Sequence, residues 1–222
     1  MPRRASFVSL ASAALALAAA APAFGADADG RFAVKGAGGA RCAAFVEARE
    51  ARNEAAMTAY QSWTSGYLTA ANRLSPETFD MVAWQGIGVL LAAIEGHCRR
   101  NPDLPFHAAI GALVIALAPD RITARSELVR IPSGETTLVV YEETLRRTQK
   151  QLAQRKLYTG RIDGKFGDGT RRAVEAFQKA ENITVSGLPD QQTLFRLLRS
   201  AEAAQPAAAP APAPAPAQRP RR

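Results

Sequence analysis

Four polar side chains surround a glycine-rich turn in the C-terminal half of the chain: Tyr158, Asp163, Lys165 and Thr170. On or beside a turn that leads into a helix, a carboxylate, an ammonium, a hydroxyl and nearby backbone N–H groups can hydrogen-bond a polar ligand, and Tyr158 can offer it a flat ring face. That is chemistry of binding. Bond-breaking chemistry has poorer material. The chain has two histidines, His97 and His107, and two cysteines, Cys42 and Cys98. A zinc hydrolase uses three protein ligands and an open water position, and no H-x-x-x-D or H-E-x-x-H spacing supplies them. A Cys–His hydrolase would leave one cysteine without a partner. Glu47, Glu50 and Glu54 fall along one helix side, but Arg49 and Arg52 interleave as on an exposed helix, unlike the positioned carboxylate pair of a glycosidase. The expectation is a protein that is not an enzyme and needs no metal or cofactor.

The elements that hold the turn follow from spacing. Asp163-Gly164 sits just before a helix start, and Gly164 and Gly167 are expected to take torsions that other residues resist, folding the loop around Phe166. Asp168 is the candidate N-cap. Ala173, Val174 and Phe177 then share one helix face, with Phe166, Val174 and Phe177 expected in the core. An amphipathic helix over about residues 142–156 precedes this, carrying Leu145, Leu152 and Leu157. A turn at Ser186-Gly187-Leu188-Pro189 follows, and then a helix over 193–199 with Leu194, Leu197 and Leu198. The pattern repeats: Asp163-Gly164 precedes Thr170 by the same step as Ser186-Gly187 precedes Thr193.

This stretch resembles the peptidoglycan-binding domain family found appended to many cell-wall hydrolases. The family run G-x-x-D-G-x-F-G-x-x-T-x-x-A-V-x-x-F-Q is occupied at Gly160, Asp163, Gly164, Phe166, Gly167, Thr170, Ala173, Val174, Phe177 and Gln178. The resemblance implies a three-helix domain over residues 140–199 with peptidoglycan as its partner. Where the family has a second D-G and a Gly before its second Thr, this chain has Ser186-Gly187 and Asp190.

The N-terminus reads as a secretory leader. Arg3-Arg4 is followed by an apolar run over 7–21, too short for a membrane span, and then by small residues, placing removal near residue 25. No second run is long enough to span a bilayer, so the mature chain is expected without a transmembrane segment. An exported chain with two cysteines is expected to pair Cys42 with Cys98. The net charge of +8 is uneven: residues 24–140 carry 11 basic and 12 acidic side chains, and residues 141–199 carry 12 and 7. Nucleic acid is not the expected partner of an exported protein. The basic module is either a solvated face or an aid to meeting cell-wall carboxylates.

Residues 41–118 read as helical. Tyr60, Trp63, Tyr67, Ala71 and Leu74 follow helical spacing, as do Ile87, Leu91, Ile94 and Cys98, and again Phe106, Ile110, Leu113, Val114 and Leu117. Trp63, Tyr67 and Trp84 are read as core and not as a ligand platform. Cys42, Phe45, Asp80, Gln85-Gly86-Ile87, Ile94 and Cys98 also resemble, more faintly, the HdeA-like periplasmic acid-stress chaperone family, which implies unfolded or specific periplasmic proteins as partners. Helical, disulfide-bonded immunity proteins have a similar outline. The expected architecture is mainly α: leader 1–25, disulfide-linked helical bundle 26–119, linker 120–139, peptidoglycan-binding domain 140–199, and Ala/Pro-rich tail 200–222. Between the halves, Ile131-Pro132-Ser133-Gly134 reads as a turn, and residues 136–141 suit a short strand or an extended connector. The expected function is that of an exported, non-catalytic peptidoglycan-binding protein in the periplasm, associated with the wall and tethering its helical domain there. A wall-associated chaperone or an immunity or interaction protein is the alternative, and a cell-wall hydrolase a more distant one.

Overall fold

The computed structural model describes residues 27 and 29–202, the last four as backbone. The leader expected over 1–25 and nearly all of the tail expected over 200–222 lie outside the described residues. In the N-terminal unit, which runs to Ala33, the Arg31 guanidinium is held by the carboxylates of Asp27 and Asp29.

From Val34 onward the described elements are a short 3-10 turn at Gly36–Gly39, helices α1 (Cys42–Glu50), α2 (Glu54–Leu74), α3 (Ile87–Arg100) and α4 (Phe106–Leu117), strands β1 (Leu128–Ser133) and β2 (Thr136–Tyr141), and helices α5 (Glu142–Gln154), α6 (Asp168–Ala180) and α7 (Gln191–Glu202). The mainly α expectation holds. Helix α2 starts where it does because the Asn53 side chain accepts the Ala56 N–H at 3.1 Å, filling one of the unmet donors of the first turn.

Helices α1 to α4 close around Phe45, Tyr60 and Phe106, whose ring centroids lie 4.7–5.0 Å apart. The Cys42–Cys98 disulfide is fully buried beside them and joins α1 to α3. Outside the bond, Arg49 pairs with Glu95 at 2.6 Å, and Arg99 bridges Glu95 and Glu50, so the two helices carry a covalent tie and an ionic one. Half-buried Trp63 packs against this core and donates its indole N–H to the Lys35 carbonyl at 2.6 Å. Its ring lies so close to the 3-10 turn that a Cβ on Gly38 would come within 2.0 Å of it.

Part of the stretch expected as a linker, 120–139, belongs to a β-hairpin over residues 128–141. Strands β1 and β2 pair antiparallel across a two-residue turn, with Val129 opposite Val140 and Ile131 opposite Leu138. Alternation puts these four apolar side chains on one face. That face packs into a core shared with Leu145 of α5, Leu188, and Leu194 of α7, and with Trp84 from the loop before α3. The expected boundary near residue 140 therefore runs through a common core. Polar ties cross it as well: the Thr144 hydroxyl donates to the Ala83 carbonyl, and the Tyr141 hydroxyl donates to the Asp80 carboxylate at 2.8 Å. A second part of the core gathers Leu152, Ala173, Val174, Phe177 and Leu197 between α5, α6 and α7.

Candidate functional site

Two buried glutamines organise the C-terminal helices. Gln149 of α5 accepts the Gly164 N–H at 2.9 Å and donates to the Lys165 carbonyl at 2.9 Å and the Thr170 hydroxyl at 3.2 Å. Gln178 of α6 accepts the N–H groups of Ser186 and Gly187 at 3.0 and 2.8 Å, and donates to the Thr193 hydroxyl at 2.8 Å and the Leu188 carbonyl at 3.1 Å. Each amide thus meets a glycine turn with its oxygen and the threonine of the next helix with its nitrogen. A buried backbone turn has polar groups that must find partners, and one primary amide offers both a donor and an acceptor. The repeat legible as D-G…T and S-G…T is the visible half of this device, and a glutamine from the preceding helix is the other half.

All four expected ligand residues meet around Gln149. Besides the Lys165 carbonyl and the Thr170 hydroxyl, its nitrogen lies 3.3 Å from the Asp163 carboxylate and 3.4 Å from the Tyr158 hydroxyl. Asp163 also receives the Lys165 N–H at 3.0 Å. That backbone bond, followed by the Gln149 amide, holds its carboxyl below the usual range. The half-buried Tyr158 ring packs against the second part of the core, and its hydroxyl donates to the Arg161 carbonyl at 2.8 Å. The Lys165 side chain is exposed, while Thr170 is 2 % exposed, its hydroxyl engaged inside the module. Thr170, expected as a ligand contact, is instead a support for the turn.

The structural positions behave unevenly. Gly164 has φ +75°, and a Cβ there would lie 2.5 Å from Glu142 Cγ and 2.8 Å from its carbonyl oxygen. Gly167 was expected to need special torsions too, yet it is extended at φ −134° with open space where a Cβ would go. A Cβ on Gly160 would strike the Tyr158 ring at 2.6 Å. Asp168 is not the N-cap: Gly167 occupies that position, no side chain caps it, and Asp168 is the first helical residue. There its charge still suits the positive end of the helix. Ala173, Val174, Phe177 and Gln178 are buried as expected, whereas Phe166 is half-buried with the Arg171 guanidinium 5.1 Å above its ring.

The residues considered for catalysis are not gathered. Both thiols are in the disulfide. Among the described residues no group of three or more His, Cys, Asp or Glu side chains is placed to hold a metal ion. A polar cleft of about 350 Å³ lies between residues 122–127 and the start of α5, and its charges are matched within it: Glu142 with Arg146, Glu143 with Arg147, and Glu127 with Arg125.

Residues 142–197 match the family described as "Putative peptidoglycan binding domain". No curated protein matches the chain. Among solved structures it is similar to SltB3 from Pseudomonas aeruginosa, crystallised in complex with NAG-anhNAM-pentapeptide. That similarity amounts to 24% identity over 47% of this chain and 26% of that one, with a TM-score of 0.26.

Proposed function

We propose that this protein is an exported, non-catalytic cell-wall protein whose α5–α7 module binds peptidoglycan and holds the α1–α4 bundle against the wall. The observation that carries the reading is the family match over residues 142–197. It coincides with a module in which two glutamine amides lock both glycine turns. Locking fixes the outer surface of those turns, and a rigid surface loses less conformational freedom when it takes a ligand. The ligand-facing groups are the exposed Lys165, with Tyr158 and Asp163 behind it. The excess of basic residues in the module favours encounter with the carboxylates of wall peptides.

Export is supported by the leader-like N-terminus and by the buried disulfide, a bond at home in oxidising compartments. The non-catalytic part of the reading is supported by the two locked thiols and by the internally paired charges of the polar cleft beside α5. The test is co-sedimentation of the mature chain with purified sacculi at low and high salt. Binding that weakens but persists at high salt is expected, and Lys165→Ala should lower the bound fraction without shifting the melt. A folded wild type that stays in the supernatant at both salts would refute wall binding. Release of soluble muropeptides during the incubation would refute the non-catalytic role.

A further inference from the structure

We propose that the groove between strand β1 and the start of α6 is a subsite for the carboxylate end of a wall peptide, making the hairpin part of the binding surface. This deepens the peptidoglycan reading and rests on it. The groove, of about 170 Å³, is lined along the hairpin by residues 129–132, Arg130 among them, and on the other side by Phe166, Gly167, Asp168 and Arg171. Clefts that take drug-sized ligands run to roughly 300–1,000 Å³, so this one suits a terminal amino acid and not a sugar chain.

Its charges identify the ligand. In the polar cleft beside α5 every arginine faces a glutamate. Among the described residues neither Arg130 nor Arg171 has a carboxylate within ion-pair distance, although both line one groove. Arg171 lies over the Phe166 ring. Stacking of this kind orients a guanidinium plane while its N–H fork remains available for a carboxylate. Helix α6 begins at Asp168, behind the N-cap Gly167 and without a side-chain cap, adding first-turn N–H groups and the positive end of the helix to the same wall. Asp168, the one acidic residue of the lining, suits an ammonium adjacent to the bound carboxylate. The hairpin lies outside the matched residues 142–197, so Arg130 adds to the module a cation that the module itself does not contain.

The probe is the synthetic tripeptide Ala-Glu-Lys with a free C-terminal carboxylate, compared with its C-terminal amide, titrated into the full mature chain by NMR or calorimetry. The carboxylate form should bind about tenfold more tightly than the amide, the equivalent of one charge-assisted contact. Arg130→Ala and Arg171→Gln should each remove that preference. Arg130 sits at an exposed strand position, so R130A keeps the test open even if R171Q fails to fold. Equal binding of the two peptides, or an R130A protein that melts like wild type and keeps the preference, would overturn the proposal. Sedimentation with sacculi separates the two readings. Wild type that sediments but shows no carboxylate preference retains wall binding and loses the subsite. Wild type that shows the preference but does not sediment retains the subsite and loses wall binding.

Discussion

Gln191 reaches from the first turn of α7 to the loop before α3, where it donates to the Trp84 carbonyl at 2.7 Å and accepts the Gly86 N–H at 2.8 Å. One side chain thereby satisfies two backbone groups that lie more than a hundred positions away, and it does so beside the Trp84 ring that enters the hairpin core. A shared core and shared hydrogen bonds predict that the bundle and the module unfold together. Calorimetry of the protein should give one transition with equal calorimetric and van't Hoff enthalpies. Gln191→Ala should cost about 0.5–1.5 kcal/mol, the net worth of a typical intramolecular hydrogen bond whose released groups water can reach, and should leave the transition single. Two separable transitions in wild type would show that the hairpin core does not couple the parts.

Two glycines of the same turn should respond in opposite ways. Gly164→Ala places a Cβ at positive φ against the Glu142 backbone, and a loss of about 2–3 kcal/mol is expected from the left-handed conformation and the clash. Gly167→Ala meets neither obstacle and should cost no more than about 1 kcal/mol, the penalty of alanine at an N-cap. Denaturant midpoints of the two variants decide the matter, and similar losses would contradict the torsions described here.

Removing the disulfide should be costly. Cys98→Ser leaves the buried Cys42 thiol unpaired between α1 and α3, and a loss of about 2–5 kcal/mol is expected, the usual cost of removing a native disulfide from a small domain. The measurement is a urea melt of oxidised wild type, reduced wild type and C98S. C98S should resemble the reduced protein, and a variant as stable as the oxidised one would rule out a structural role for the bond.

High pH should destabilise the protein through Tyr141. Burial, aided by its hydrogen bond to the Asp80 carboxylate and by that charge, pushes its hydroxyl up to about 12. Unfolded tyrosine ionises near pH 10, so between about pH 10 and 12 the unfolded chain holds fewer protons than the folded one, and stability falls as pH rises. Tyr141→Phe should flatten this slope while lowering stability at neutral pH. Asp163 acts at the other extreme: its lowered carboxyl contributes stability that is present above the ordinary aspartate range and is lost as pH falls through its folded value. An unchanged alkaline slope in Y141F would assign it to other groups.

The C-terminal module was largely legible because its signals are local. Phe177, Val174 and Ala173 fall on one helix face and are buried there, and the D-G turn with its threonine is contiguous in sequence. The bundle was legible for the same reason, through helical spacing and punctuating prolines. Gln149 was not. In a stretch reading EETLRRTQKQLAQ it looks like any solvated helix residue, because periodicity separates polar from apolar and cannot tell a buried, fully bonded amide from an exposed one. Its counterpart Gln178 stands in the family run, and a search for the partner of each glycine turn would have led to both. The hairpin was half legible: residues 136–141 suited a strand, but an isolated two-stranded ribbon is marginal in water, and what completes it is cover from α5, α7 and Trp84, supplied by distant parts of the chain. Asp168 illustrates a smaller limit, since the choice between cap and first turn is settled by one residue of backbone geometry.

The bond between α1 and α3 has a further meaning once the chain is considered as a cord. Cys42 and Cys98 are separated by 56 positions in sequence. A tension that enters ahead of Cys42 and leaves beyond Cys98 crosses the sulfur bridge and bypasses everything between. Helix α2 and most of α3 therefore bear none of the load, and about 190 Å of contour at ~3.4 Å per residue cannot be paid out even if the helices around the bond melt. Forces transmitted along the backbone reach only the segments outside that closed loop: α4, the hairpin and the two glutamine-locked turns.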